Sequence, residues 1–101
     1  MRVSLTKSAV TEMKAIHGLS RKFNRLKKKP HGDALLELMR KHVKEISSLY
    51  RNKDKHYLVE TGDLIILCFE MLLEKRIAPD PLMAVCYRRY RRKLTQLLKD
   101  I

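Results

Sequence analysis

Apolar residues recur at helical spacing in four stretches of the chain, and the breaks between those stretches carry turn chemistry. Ala9, Met13, Ile16, Phe23 and Leu26, with Val10 and Leu19 beside them, mark the first amphipathic face. Gly18 and Ser20 weaken its middle, so the pattern predicts either one bent helix or two short ones. Pro30-His31-Gly32 stops that segment, and Asp33 is placed to cap a second helix over about 34–51. There Met39, Val43, Ile46 and Tyr50 form one stripe, while Leu35, Leu38 and Leu49 form a neighbouring seam interrupted by His42 and Glu45. Polar groups on such a seam either find partners or reach water at the edge of the core.

The third stretch organises the rest. With Asp54 as N-cap, a helix over about 55–76 carries Leu64 to Phe69 and Met71 to Leu73, apolar nearly all round. Such a rod has to be buried on most sides. A strand at 64–69 is the alternative, but no second run of similar character exists to pair with it. Gly62 inside this helix costs about 1 kcal/mol against alanine or marks a close packing contact. Ile77-Ala78-Pro79-Asp80-Pro81 is the sharpest punctuation, with Asp80 as N-cap and Pro81 as the first residue of a last helix. Residues 1–8 read as a short arm. The expectation is a single all-α domain over residues 1–101, an antiparallel four-helix bundle joined by short connections. A chain of this length struggles to cover the third helix alone, so a homodimer or higher oligomer is expected.

Charge changes the picture more than composition does. The net charge is +12, and residues 1–55 hold fifteen Lys/Arg against five Asp/Glu. Such an excess attracts polyanions, whether nucleic acid, nucleotides or an acidic protein, although it also describes a plain solvated surface. The densest basic runs are Arg21–Lys29 and Arg88–Lys93, with Phe23, Tyr87 and Tyr90 interleaved. No run of about 18 uncharged apolar residues is present, which argues against a membrane span. The N-terminus lacks an apolar signal-like region, and Cys68 and Cys86 read as reduced core thiols rather than a disulfide or metal pair. The cytoplasm is the expected compartment.

The candidate chemistry lies on the third helix. Glu60 and Asp63 stand i, i+3, and the stripe they begin continues through Leu67, Glu70 and Glu74. Two antiparallel helices offering Glu60, Asp63, Glu45 and His42 can gather one or two Mg²⁺ or Mn²⁺ ions, which neutralise phosphate oxygens and activate water. The Arg88–Lys93 cluster then suits a phosphate chain. His17, His31 and His56 show no metal-like spacing and read as surface or capping residues. No Ser-His-Asp or Cys-His arrangement and no glycine-rich phosphate loop is evident.

His42-Val-Lys-Glu45-Ile, then Leu58-Val-Glu60-Thr-Gly-Asp63-Leu-Ile, then Ile77-Ala-Pro-Asp80-Pro-Leu-Met-Ala84 before a basic helix resembles the MazG-like, all-α nucleoside triphosphate pyrophosphohydrolases. The likeness covers roughly residues 33–93. It implies cleavage of a nucleoside triphosphate to monophosphate and pyrophosphate. Glu45, Glu60 and Asp63 would be catalytic and hold the metal, with His42 as a further ligand, and Arg88, Arg89 and Arg92 would bind the triphosphate. His42 stands where the family's first helix-two glutamate is expected. An imidazole supplies no negative charge and prefers softer ions than Mg²⁺. Lys41 and Lys44 flank the reduced acidic site. Two further readings come from other classes: a nucleic-acid binder driven by the basic runs, and a non-catalytic helical protein that binds a nucleotide or an acidic partner.

Overall fold

Turn chemistry sets the boundaries of four helices. The computed structural model describes residues 6–101: α1 spans Lys7–Leu26, α2 His31–Arg51, α3 Tyr57–Glu74 and α4 Pro79–Lys99. The described residues contain no strand, so residues 64–69 are helical and the chain is all-α and bundle-like, as expected. None of the described helices is long and apolar enough to cross a membrane.

The three connections share one device. Lys28, Lys53 and Arg76 adopt φ of 55°, 56° and 54° directly after the C-caps of α1, α2 and α3. Lys29 N–H bonds Asn24 C=O, Asp54 N–H bonds Leu49 C=O and Ile77 N–H bonds Leu72 C=O. With the bonds of smaller sequence span from Lys28 to Arg25, Lys53 to Tyr50 and Arg76 to Leu73, these are Schellman closures. Glycine is the less strained occupant of such positions. The basic residues found there bring positive charge to each helix's negative end instead.

The helix starts differ from the sequence expectations. Thr6 caps α1 by accepting from Ala9 N–H at 3.1 Å, so Lys7 and Ser8 are helical; the remainder of the expected arm, residues 1–5, lies outside the described residues. Gly18 and Ser20 leave α1 as one helix. α2 begins at His31, which places Asp33 inside the first turn and not at the cap. Asp54 accepts from His56 N–H at 2.9 Å, a turn bond ahead of α3. α4 begins at Pro79 after an extended Ala78, so Asp80 and Pro81 lie within its first turn. A proline there forfeits no hydrogen bond, because the first N–H groups of a helix have no internal partner.

α2 and α3 form the principal packed pair, braced near their connection by Tyr50 and Tyr57, whose rings meet edge-on at 5.4 Å. α1 lies against α3 and, less extensively, α2. α4 has only sparse contact with the other three. The molecule measures 51 × 36 × 26 Å with a radius of gyration of 16.2 Å. A compact chain of this size has a radius of about 13 Å, and the excess follows from the poorly packed α4. The only buried apolar residues among those described are Ala34, Leu35 and Leu67. The expected burial of α3 is therefore incomplete in a single chain: Leu58, Val59 and Ile65 are each more than half exposed, and Cys68 is exposed too. Both cysteines are free, but Cys68 is not a core thiol. Gly62 marks no close contact, since nothing lies within 4 Å of where a Cβ would stand.

Candidate functional site

The carboxylates of α3 meet every histidine of the chain. His56 and His42 face Glu60 and Asp63 near the start of α3, whereas His17 and His31 face Glu70 and Glu74 at its end. Buried Leu67 lies between the two groups, and Glu60 and Glu70 are about 15 Å apart along the helix rise.

The first group forms because α2 and α3 run back to back through a short turn, bringing His42 level with the first turns of α3. His42 Nε2 lies 3.3 Å from Glu60 Oε2 and 3.7 Å from Asp63 Oδ2. The other ring nitrogen, Nδ1, lies 2.8 Å from Leu38 C=O. A carbonyl only accepts, so Nδ1 carries the hydrogen, and in neutral imidazole the Nε2 lone pair faces the two carboxylates. Three electron-rich atoms converging within 4.8 Å repel one another unless a cation lies among them or Nε2 takes up a proton. Glu60 Oε1 lies 3.4 Å from His56 Nε2, while the Asp63 carboxylate is half exposed and opens the group to solvent.

Three of the four predicted metal ligands, His42, Glu60 and Asp63, therefore come together. Glu45, one turn beyond His42, does not join them; its side chain is exposed and makes no ion pair among the described residues. Lys41 is drawn to Glu37 at 3.7 Å and away from the acidic group. Arg88, Arg89 and Arg92 lie exposed on α4, and no ion pair joins them to Glu60 or Asp63.

The second group escaped the sequence reading. Glu70 and Glu74 are legible as part of an acidic stripe, but His17 and His31 read as surface or capping residues. Both are nearly buried: their side chains are 12% and 11% exposed, beside a Glu70 carboxylate at 5%. The signal lay in α1, where His17, Ser20 and Asn24 form a polar row at helical spacing beside Met13 and Ile16.

Comparison with protein-family models, with curated proteins and with solved structures finds no match to this chain. The functional reading therefore rests on the residues themselves.

Proposed function

We propose that the chain is a divalent-cation-dependent nucleoside triphosphate pyrophosphohydrolase of the MazG-like kind. The observation that carries this reading is the hydrogen bond from His42 to Leu38 C=O, which points a bare Nε2 at Glu60 and Asp63. One imidazole and two carboxylates make a donor set that suits Mn²⁺ and accepts Mg²⁺ less readily. A bound ion would neutralise phosphate oxygens and make water a better nucleophile at neutral pH. The chain's own part is to hold those donors: Leu38 fixes the His42 tautomer, and His56 lies beside Glu60. The proton of the attacking water passes to solvent, to which the half-exposed Asp63 opens the group; Glu45 lies outside it. Water adds at the α-phosphorus, the bond to the bridging oxygen breaks, and pyrophosphate leaves. Arg88, Arg89 and Arg92, free of ion pairs among the described residues, take the phosphate chain.

The small core supports a second element of the proposal, self-association. The exposed apolar residues of α3 and the weakly packed α4, with Tyr87, Tyr90, Leu94 and Leu98 along its length, are covered by a second copy of the chain. Two free thiols suit a reducing compartment such as the cytoplasm.

The test is pyrophosphate release from a panel of canonical and modified nucleoside triphosphates, with and without Mn²⁺ and Mg²⁺. Metal-dependent release is the expected result. Absence of release from every substrate, together with nucleic-acid binding that weakens steeply with salt, would favour the polyanion-binding reading. The exposed Arg21, Arg25, Lys28 and Lys29 at the end of α1 would then be its first site to map.

A further inference from the structure

We propose that His17, His31 and Glu74 form a second metal site, for a transition ion of the zinc class, with Glu70 orienting His17 from outside the ligand set. It uses none of the residues of the pyrophosphohydrolase reading and does not depend on it.

Five buried side-chain atoms lack a hydrogen-bond partner among the described residues: His17 Nδ1 and Nε2, His31 Nε2, Glu70 Oε1 and Glu74 Oε2. All five belong to this one group. His17 Nε2 is 3.5 Å and His31 Nε2 3.8 Å from Glu74 Oε2, and His17 Nδ1 is 3.5 Å from Glu70 Oε1. The two distances to Glu74 Oε2 exceed the range of about 2.7–3.2 Å expected where a proton bridges nitrogen and oxygen. They are close to what one ion requires, because tetrahedral ligands at about 2.0–2.1 Å from zinc stand about 3.3 Å from one another. The His17 and His31 rings meet edge-on at 5.2 Å, and both present Nε2 to the same carboxylate oxygen.

The surroundings complete a metal-binding arrangement. With its Nδ1 hydrogen directed at Glu70, His17 keeps the Nε2 lone pair for an ion, the carboxylate–histidine–metal relation that raises ligand basicity. Asn24 Nδ2 lies 2.9 Å from His31 Nδ1. A free His31 Nε2 lone pair requires that amide turned so that its oxygen accepts from Nδ1–H, the reverse of the placed orientation. Glu70 and Glu74 together balance a divalent charge, and Glu74 is the last residue of α3, where the helix dipole also favours a cation. Arg21 competes for Glu74 Oε2 at 3.4 Å but is more than half exposed, so an ion displaces it into solvent. Two imidazoles disfavour Mg²⁺ and Ca²⁺. Since the ligands come from α1, α2 and α3, the ion ties the loosely packed α1 to the main helix pair and stabilises the fold by mass action.

The experiment starts from the chelator-stripped chain carrying Glu60→Gln/Asp63→Asn, which disables the other cluster. Zn²⁺ is titrated calorimetrically, melting is followed with and without it, and Co²⁺ is added for its visible spectrum. The expected result is one tightly bound Zn²⁺, a raised Tm, and a Co²⁺ spectrum of nitrogen and oxygen ligands without a thiolate charge-transfer band. Adding His17→Ala/His31→Ala abolishes binding, and Glu70→Gln weakens it by about 10- to 100-fold. Binding that survives His17→Ala/His31→Ala, or a thiolate band implicating Cys68 or Cys86, overturns the proposal. So does an intact chain that binds no Zn²⁺. Should the histidine variants fail to fold, the Co²⁺ spectrum and stoichiometry of the Glu60→Gln/Asp63→Asn chain decide the matter.

Discussion

The two ends of α3 carry similar residue types under opposite conditions. At the start of the helix, histidine and carboxylates face solvent through a half-exposed Asp63; at its end, His17, His31 and Glu70 are largely buried and Glu74 is partly exposed at the edge. Openness separates a group that can admit a substrate from one that can only hold what fits inside it. Desolvation also changes what each arrangement costs. Water screens the repulsion in the open cluster, whereas the five unpaired atoms of the closed one meet a low dielectric and require a partner. The open cluster is therefore suited to turnover and the closed one to cohesion.

The largest effect that separates them is catalytic. Glu60→Gln/Asp63→Asn removes both charged ligands of the open cluster. A bound ion contributes several kcal/mol to phosphoryl-group chemistry, so pyrophosphate release should fall about 10³-fold or more at about 1.4 kcal/mol per decade. Steady-state assays with Mn²⁺ measure this directly, and retention of most of the activity would remove the open cluster from the chemistry. The next effect runs the other way. Glu74→Ala removes the carboxylate on which His17 and His31 Nε2 converge and, with Zn²⁺ present, should lower stability by about 1–3 kcal/mol through lost ion binding. Asp63→Asn, at a half-exposed site, should stay within about 0.5 kcal/mol. Denaturant melts of the two single variants compare them, and equal losses would dissolve the distinction between an open and a closed cluster.

Legibility in the sequence followed local periodicity. Four helices, their order and the acidic stripe on α3 could be read because each is set by residues within one or two turns of one another. Glu60 and Asp63 could be paired for the same reason. The start sites missed by a few residues at Asp33 and Asp80, where proline geometry decided the boundary instead of a capping carboxylate. The closed cluster depends on where α1 crosses the end of α3, a long-range fact with no counterpart in local spacing. His17 and His31 acquire their meaning only from that crossing. The expectation that α3 is buried on most sides was an inference from its composition, and exposed Ile65 and Val59 agree with the companion expectation that one chain struggles to cover it.

Smaller effects probe the surroundings of the open cluster. If Arg88, Arg89 and Arg92 bind the phosphate chain, replacing all three with alanine should raise KM about tenfold or more, given about 1.5–3 kcal/mol for hydrogen bonds to charged groups. Because α4 packs so sparsely, the change should leave the melting temperature nearly unchanged. An unaltered KM would assign the α4 arginines to solubility or to nucleic acid, which a salt-dependent binding assay then tests.

The smallest expected effect compares the clusters through their neighbouring glycines. Gly18 follows His17 and Gly62 precedes Asp63; both lie inside helices, with nothing within 4 Å of a Cβ built on either. Alanine reduces the freedom of the unfolded chain without a clash in the folded one, so each substitution should stabilise by about 0.5–1 kcal/mol. In a chain of this length that corresponds to a few degrees in Tm. For Gly18→Ala no further change is expected. Gly62→Ala differs because its new methyl group enters the turn shared by Glu60 and Asp63. A raised Tm with slower pyrophosphate release would show that bare backbone at Gly62 admits the substrate. A raised Tm with unchanged release would leave Gly62 as a plain helix residue and confine the open cluster to its side chains. A lowered Tm would mean that something packs against α3 at Gly62, and a second copy of the chain is the partner that the exposed face of α3 implies.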